Sequence, residues 1–126
     1  MMAKRIRAAK KKLGLKPGSV VYVGKERTEE PQIDVIDYTD SAYDEKRVAT
    51  AEECFPYRDS ATLTWINVEG IHGVEMVEKI GVHFGMHALV MEDIVNTGQR
   101  PKAEEFDNYL YVVLKMLRYA EVTYFG

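Results

Sequence analysis

One seven-residue run constrains this chain more than any other: Thr62-Leu63-Thr64-Trp65-Ile66-Asn67-Val68. Leu63 and Trp65, with Asn67, point to one side, and Thr64, Ile66 and Val68 to the other. Such alternation is a strand. Apolar side chains on both faces predict burial on both sides, as in a sheet covered by helices. Glu69-Gly70 ends the run, and the period then changes. From His72 to Phe84 the residues Val74, Val77, Ile80/Gly81 and Phe84 fall on one helical stripe, with Gly85 where a helix-terminating glycine belongs.

The neighbouring segments extend this pattern. After the turn Lys16-Pro17-Gly18-Ser19, Val20–Val23 reads as a first strand, and the charged stretch Lys25–Glu30 as a loop. Ile33–Tyr38 is β-branched and aromatic with partial alternation, a second strand. Lys46–Thr50 is a short third candidate. Ala51–Cys54 reads as one helical turn that Pro56 should stop. A second helix is expected over His87–Val95, broken by Asn96-Thr97-Gly98 and kept broken by Pro101. Tyr109–Leu117 reads as a long buried strand. The order predicts an α/β or α+β layered domain, a mixed sheet with flanking helices.

At 126 residues there is room for one domain with a modest core. The longest apolar stretch, Tyr109–Leu114, is about a third of what a membrane-spanning helix needs. The basic start is not followed by the apolar core of a secretory signal. One cysteine, Cys54, excludes an internal disulfide and a metal-binding Cys pair, and fits a reducing compartment. The net charge of −3 hides an asymmetry. Residues 1–16 hold seven Lys or Arg and no acid, and read as a basic flexible arm; residues 17–126 form the domain. The remainder has 10 basic against 20 acidic groups. An acidic body argues against a nucleic-acid surface and suits a cation partner.

No P-loop, dinucleotide fingerprint, nucleophile elbow or zinc-protease helix is present. Cys54 lacks a histidine at a spacing that supports catalysis, and reads as a buried thiol. His83 and His87 are four apart, but Gly85 interrupts the helix that would align them as metal ligands. Glu92-Asp93 is the most informative acidic pair. Adjacent helical residues point about 100° apart, so the two carboxylates serve neighbouring sites. Oxygen-only ligands with few protein contacts suit magnesium, which keeps most of its waters; from spacing alone a solvated helix face is the favoured reading. Glu104-Glu105 with Asp107 is a second acidic patch, and Arg100-Pro101-Lys102 between the patches reads as a basic turn that ion-pairs with them.

Four runs, in order, resemble the CorA family of channel proteins: Leu13–Gly18, Cys54–Asp59, Thr64–His72 and His87–Asn96 continued by Gln99-Arg100-Pro101-Lys102. The resemblance covers residues from about 11 to 118. It implies the amino-terminal cytoplasmic part of a homopentamer that passes magnesium, and often cobalt or nickel, without hydrolysing anything. That part is an α/β/α sandwich, followed in the family by a stalk helix, two membrane helices and a Gly-Met-Asn selectivity motif. Those later elements are absent from these 126 residues, so attachment to the membrane would come through them. The resemblance implies that the residue matching Asp93 is the main ligand for regulatory Mg2+ and that the one matching Glu92 serves a second site. It places their partner carboxylates on the stalk helix of a neighbouring subunit, so the isolated chain is expected not to hold the ion. Zinc transporters are close relatives of the family, and the residues present do not distinguish the transported ion. An interaction module whose acidic helix faces a basic partner is the alternative reading; an enzyme ranks below both.

Overall fold

The computed structural model describes residues 30–121, so the basic arm of residues 1–16, the expected strand Val20–Val23 and most of the loop before Glu30 lie outside the described residues. The described elements run β1 (Gln32–Tyr38), β2 (Tyr43–Val48), a 3-10 helix (Ala51–Asp59), β3 (Leu63–Glu69), α1 (Val74–His83), α2 (Ala88–Ile94), β4 (Lys102–Glu105) and β5 (Leu110–Val113). Strands and helices are combined as the α/β reading requires. The strands form two antiparallel sheets, one ordered β2-β1-β3 and the other a β4-β5 hairpin.

Register decides which side chains meet. Ile33 pairs with Val48 on one side and Val68 on the other, and Val35 pairs with Ile66. These residues share one face of the sheet. Ile33, Val35, Val48 and Cys54 form the core, with Tyr57, Ile66, Val68, Met76 and Ile80 packed against it. The 3-10 helix and α1 therefore cover this face. At its far end Asp37 is held by two hydroxyls, Thr62 Oγ1 donating at 2.6 Å and Thr64 Oγ1 at 2.8 Å. Arg58 Nη1 donates to the His83 carbonyl at 2.8 Å, placing a cation on the carbonyl end of α1.

Helix α2 packs on α1 through buried Val90 and Met91, and Val95 just beyond it is fully buried. The close approach depends on Gly81, where a Cβ would run into Sδ of Met91. The αL glycine at the end of α1 behaves as expected. Gly85 has φ +76°, its N–H donates to the Val82 carbonyl at 3.2 Å, and Met86 N–H donates to the Gly81 carbonyl at 2.8 Å. This is a Schellman pair.

Four expectations need correction. The opposite face of the sheet is open: Trp65 is 61% and Leu63 64% exposed, so β3 is buried on one side only. Among the described residues, the covering 3-10 helix and α1 lie on the other side. The last strand is short and exposed. It ends at Val113, and Leu114, Met116 and Leu117 extend into solvent because no described strand pairs beyond the Lys102↔Val113 register. Pro56 does not stop the helical turn but lies inside a 3-10 helix that runs to Asp59. In that tighter winding the ring avoids the i−4 bonding geometry it would obstruct in an α-helix. Finally, Lys102–Glu105 is a strand where a turn and an acidic patch were expected. The short third strand exists, shifted to Tyr43–Val48.

Candidate functional site

Helix α2 presents the acidic pair. With Val90, Met91 and Val95 turned inward, Glu92 and Asp93 are left half-buried beside them. His87 starts the helix: its Nδ1 accepts from Leu89 N–H at 3.1 Å, satisfying one orphan donor. The His87 N–H itself donates to the Tyr109 hydroxyl at 2.9 Å, which ties the helix to the β4-β5 hairpin. After α2 the chain turns through Asn96, whose Oδ1 accepts from Gly98 N–H at 3.2 Å. That turn brings Gln99 and Lys102 back alongside the acidic pair.

The two oxygens of Asp93 are separately engaged. Gln99 Nε2 donates to Oδ1 at 3.2 Å, and Lys102 Nζ donates to Oδ2 at 2.9 Å. Lys102 also reaches Glu104 Oε1 at 2.6 Å and lies 5.5 Å from the centroid of the Tyr111 ring. Glu104 and Tyr111 are register partners in the hairpin. The hydrogen bonds to Glu104 and Asp93 push the Lys102 pKa up, so the ammonium stays charged. Burial and the Asp93 charge push the Tyr111 phenol up. The result is an oxygen-lined position, rimmed by an aromatic face, that accommodates one positive charge between two carboxylates.

This donor set is hard and anionic, the kind that takes magnesium with most of its water shell retained. Among the described residues no group of three or more His, Cys, Asp or Glu could hold a metal ion. They therefore form no closed cage, and an ion here would have one or two protein ligands and keep most of its waters. Asp93 would hold it, with Glu92 on the adjacent helical position.

The other candidates separate. His83 stacks on Phe55 at 3.9 Å between centroids, and its Nε2 lies 3.1 Å from the Phe55 carbonyl, while His87 caps α2. The two histidines therefore do not form a ligand pair. Cys54 is fully buried, and burial pushes its thiol pKa up, which removes it as a nucleophile. A groove of about 420 Å³ runs between the 3-10 helix and α1. Lys79 lines it, pairing with Glu52 at 2.8 Å and Glu75 at 3.2 Å. Among the described residues, no helix is long and apolar enough to cross a membrane.

The ion pairing expected of the basic turn is present at Lys102, which reaches Asp93 and Glu104; sequence reasoning did not foresee the rest of the arrangement. It missed that Gln99 and Lys102 meet on the Asp93 carboxylate, with Glu104 and the Tyr111 ring against the Lys102 ammonium. The signal was the alternation of Lys102 and Glu104, which puts both on the same side of a strand.

No family model matches the chain. Over 119 residues it is 47% identical to the cobalt/magnesium transport protein CorA of Thermotoga maritima, a match that covers 94% of this chain and 33% of that protein. The chain thus spans about a third of the length of the curated relative it matches. The resemblance read in the sequence is borne out.

Proposed function

We propose that this chain is the cytoplasmic, cation-sensing part of a CorA-type magnesium and cobalt transport protein, with Asp93 as the main regulatory ligand and Glu92 serving a second position. The observation that carries the reading is the 47% identity to the cobalt/magnesium transport protein of Thermotoga maritima, which extends over 94% of the chain and so includes α2. The hard, half-buried carboxylates on that helix supply a physical reason for a cation to act there. The role is regulatory and involves no covalent chemistry.

The mechanism is linkage. Acidic faces brought together between subunits repel one another, by about 4 kcal/mol for two unit charges 4 Å apart near a protein surface. A divalent ion between them replaces that repulsion with attraction. If the ion binds the closed assembly better than the open one, it shifts the population toward closure by its differential affinity, and by no more than that. Asp93 contributes this chain's share of each such site. The remaining carboxylates come from a neighbouring copy in a homopentamer, and membrane attachment comes from segments other than those described here.

The test is a magnesium titration of the intact, detergent-solubilised protein, reading limited proteolysis of this domain. Protection should appear in the millimolar range and vanish in Asp93→Ala, with cobalt substituting for magnesium. Digestion that stays flat across the titration, or protection that survives Asp93→Ala, would remove the sensing role.

A further inference from the structure

Asp93 already holds a cation, and that cation belongs to the chain. Lys102 Nζ lies 2.9 Å from Asp93 Oδ2 and 2.6 Å from Glu104 Oε1, while Gln99 Nε2 donates to the other Asp93 oxygen at 3.2 Å. The aromatic face of Tyr111 borders the ammonium. Asp93 comes from α2 and the lysine from β4, so the contact also bridges two elements.

We infer that Lys102 is a tethered competitor for divalent cations at Asp93, an internal ammonium that an incoming ion must displace before it can bind. The inference rests on the cation-sensing reading of Asp93 and adds to it what sets the threshold. A second positive charge that approaches Asp93 Oδ2 while the ammonium is in contact with it is repelled, which weakens its binding. The geometry also separates ions by charge. Two carboxylates and one ammonium carry a net −1; exchanging the ammonium for a divalent ion brings the position to neutrality, whereas a monovalent ion leaves it unchanged. Withdrawal is feasible, since the lysine stem is flexible and its side chain is 30% exposed.

The experiment is calorimetric titration of the intact protein with magnesium chloride, in the wild type, Lys102→Met, Lys102→Arg and each of these with Asp93→Asn. The Asp93-dependent heat is the signal. Methionine keeps the stem and removes the charge, so Lys102→Met should bind magnesium about threefold to tenfold more tightly. Lys102→Arg should stay near the wild type. Equal or weaker binding in Lys102→Met overturns the competitor role while leaving Asp93 as a ligand. Heat that is indifferent to Asp93→Asn in every background overturns the sensing site itself, and the inference with it. A second measurement needs no variant: the 15Nζ signal of Lys102 should move toward that of a solvated lysine as magnesium saturates the wild type. A signal unmoved at saturation also overturns the displacement.

Discussion

At the scale of single residues, Glu53 shows how one carboxylate can organise the start of a short helix. Its Oε2 accepts from Ala49 N–H at 2.8 Å, Thr50 N–H at 2.9 Å and Thr50 Oγ1 at 3.3 Å. The backbone donors of Thr50 and Ala49 hold the Glu53 carboxyl below the usual carboxylate range. A group whose pKa is lower folded than unfolded adds stability that is complete above its unfolded value, about 4.3 for Glu. That stability is lost as the pH falls through the folded value. The protein should therefore lose stability on acidification below about pH 5. Glu53→Gln should melt lower than the wild type at pH 7 and show a shallower acid slope. Thermal melts from pH 7 to pH 3 measure both; parallel slopes would shift the acid sensitivity to other carboxylates, with Glu52 the next candidate through Lys79. The same scale marks a limit of sequence reading. Asp93 is legible as a helical acid, but its pairing with Lys102 spans nine positions and depends on the Asn96 turn. No periodicity encodes that distance.

At the scale of elements, what the sequence conveys depends on whether an element's neighbours are encoded near it. Strands β1 and β3 and helices α1 and α2 are recoverable because their apolar spacing repeats within the element and faces one core. Strand β4 is Lys-Ala-Glu-Glu, a composition that favours helix, and it becomes a strand through pairing with β5. The Tyr109–Leu117 run carries a strong strand signal along its whole length, yet only Leu110–Val113 has a partner strand among the described residues. The end of α1 is the opposite case, fully local. A Cβ at Gly85 would meet nothing within 4 Å, so the demand for glycine comes entirely from φ +76°. Gly85→Ala should cost about 1–2 kcal/mol, the left-handed penalty, and Gly85→Asn distinctly less. Denaturant melts of the two variants measure the difference. An alanine variant as stable as the wild type would mean that α1 can end without the Schellman pair.

At the scale of the whole molecule, the described residues divide into a well-supported layer and a lightly attached one. The three-stranded sheet has its central strand paired on both sides and one face covered by the 3-10 helix and α1. The β4-β5 hairpin is a two-stranded unit, marginal by itself in water. Polar contacts tie it to α2, among them His87 N–H to the Tyr109 hydroxyl and Lys102 to Asp93. Both depend on the proposed cation site or lie one helix length from it. The hairpin is thus the part of the fold best able to move when the charge at Asp93 changes, because local opening there breaks few buried contacts. Hydrogen exchange of the intact protein without divalent ions should show amides of Lys102–Glu105 and Leu110–Val113 exchanging at least about tenfold faster than the interior amides of Gln32–Tyr38. Tyr109→Phe, which removes the acceptor for His87 N–H, should widen that gap without changing exchange in β1. Uniform protection across both sheets would mean that the hairpin is held by more than these two contacts, and that an ion at Asp93 acts on a rigid body instead of on a movable flap.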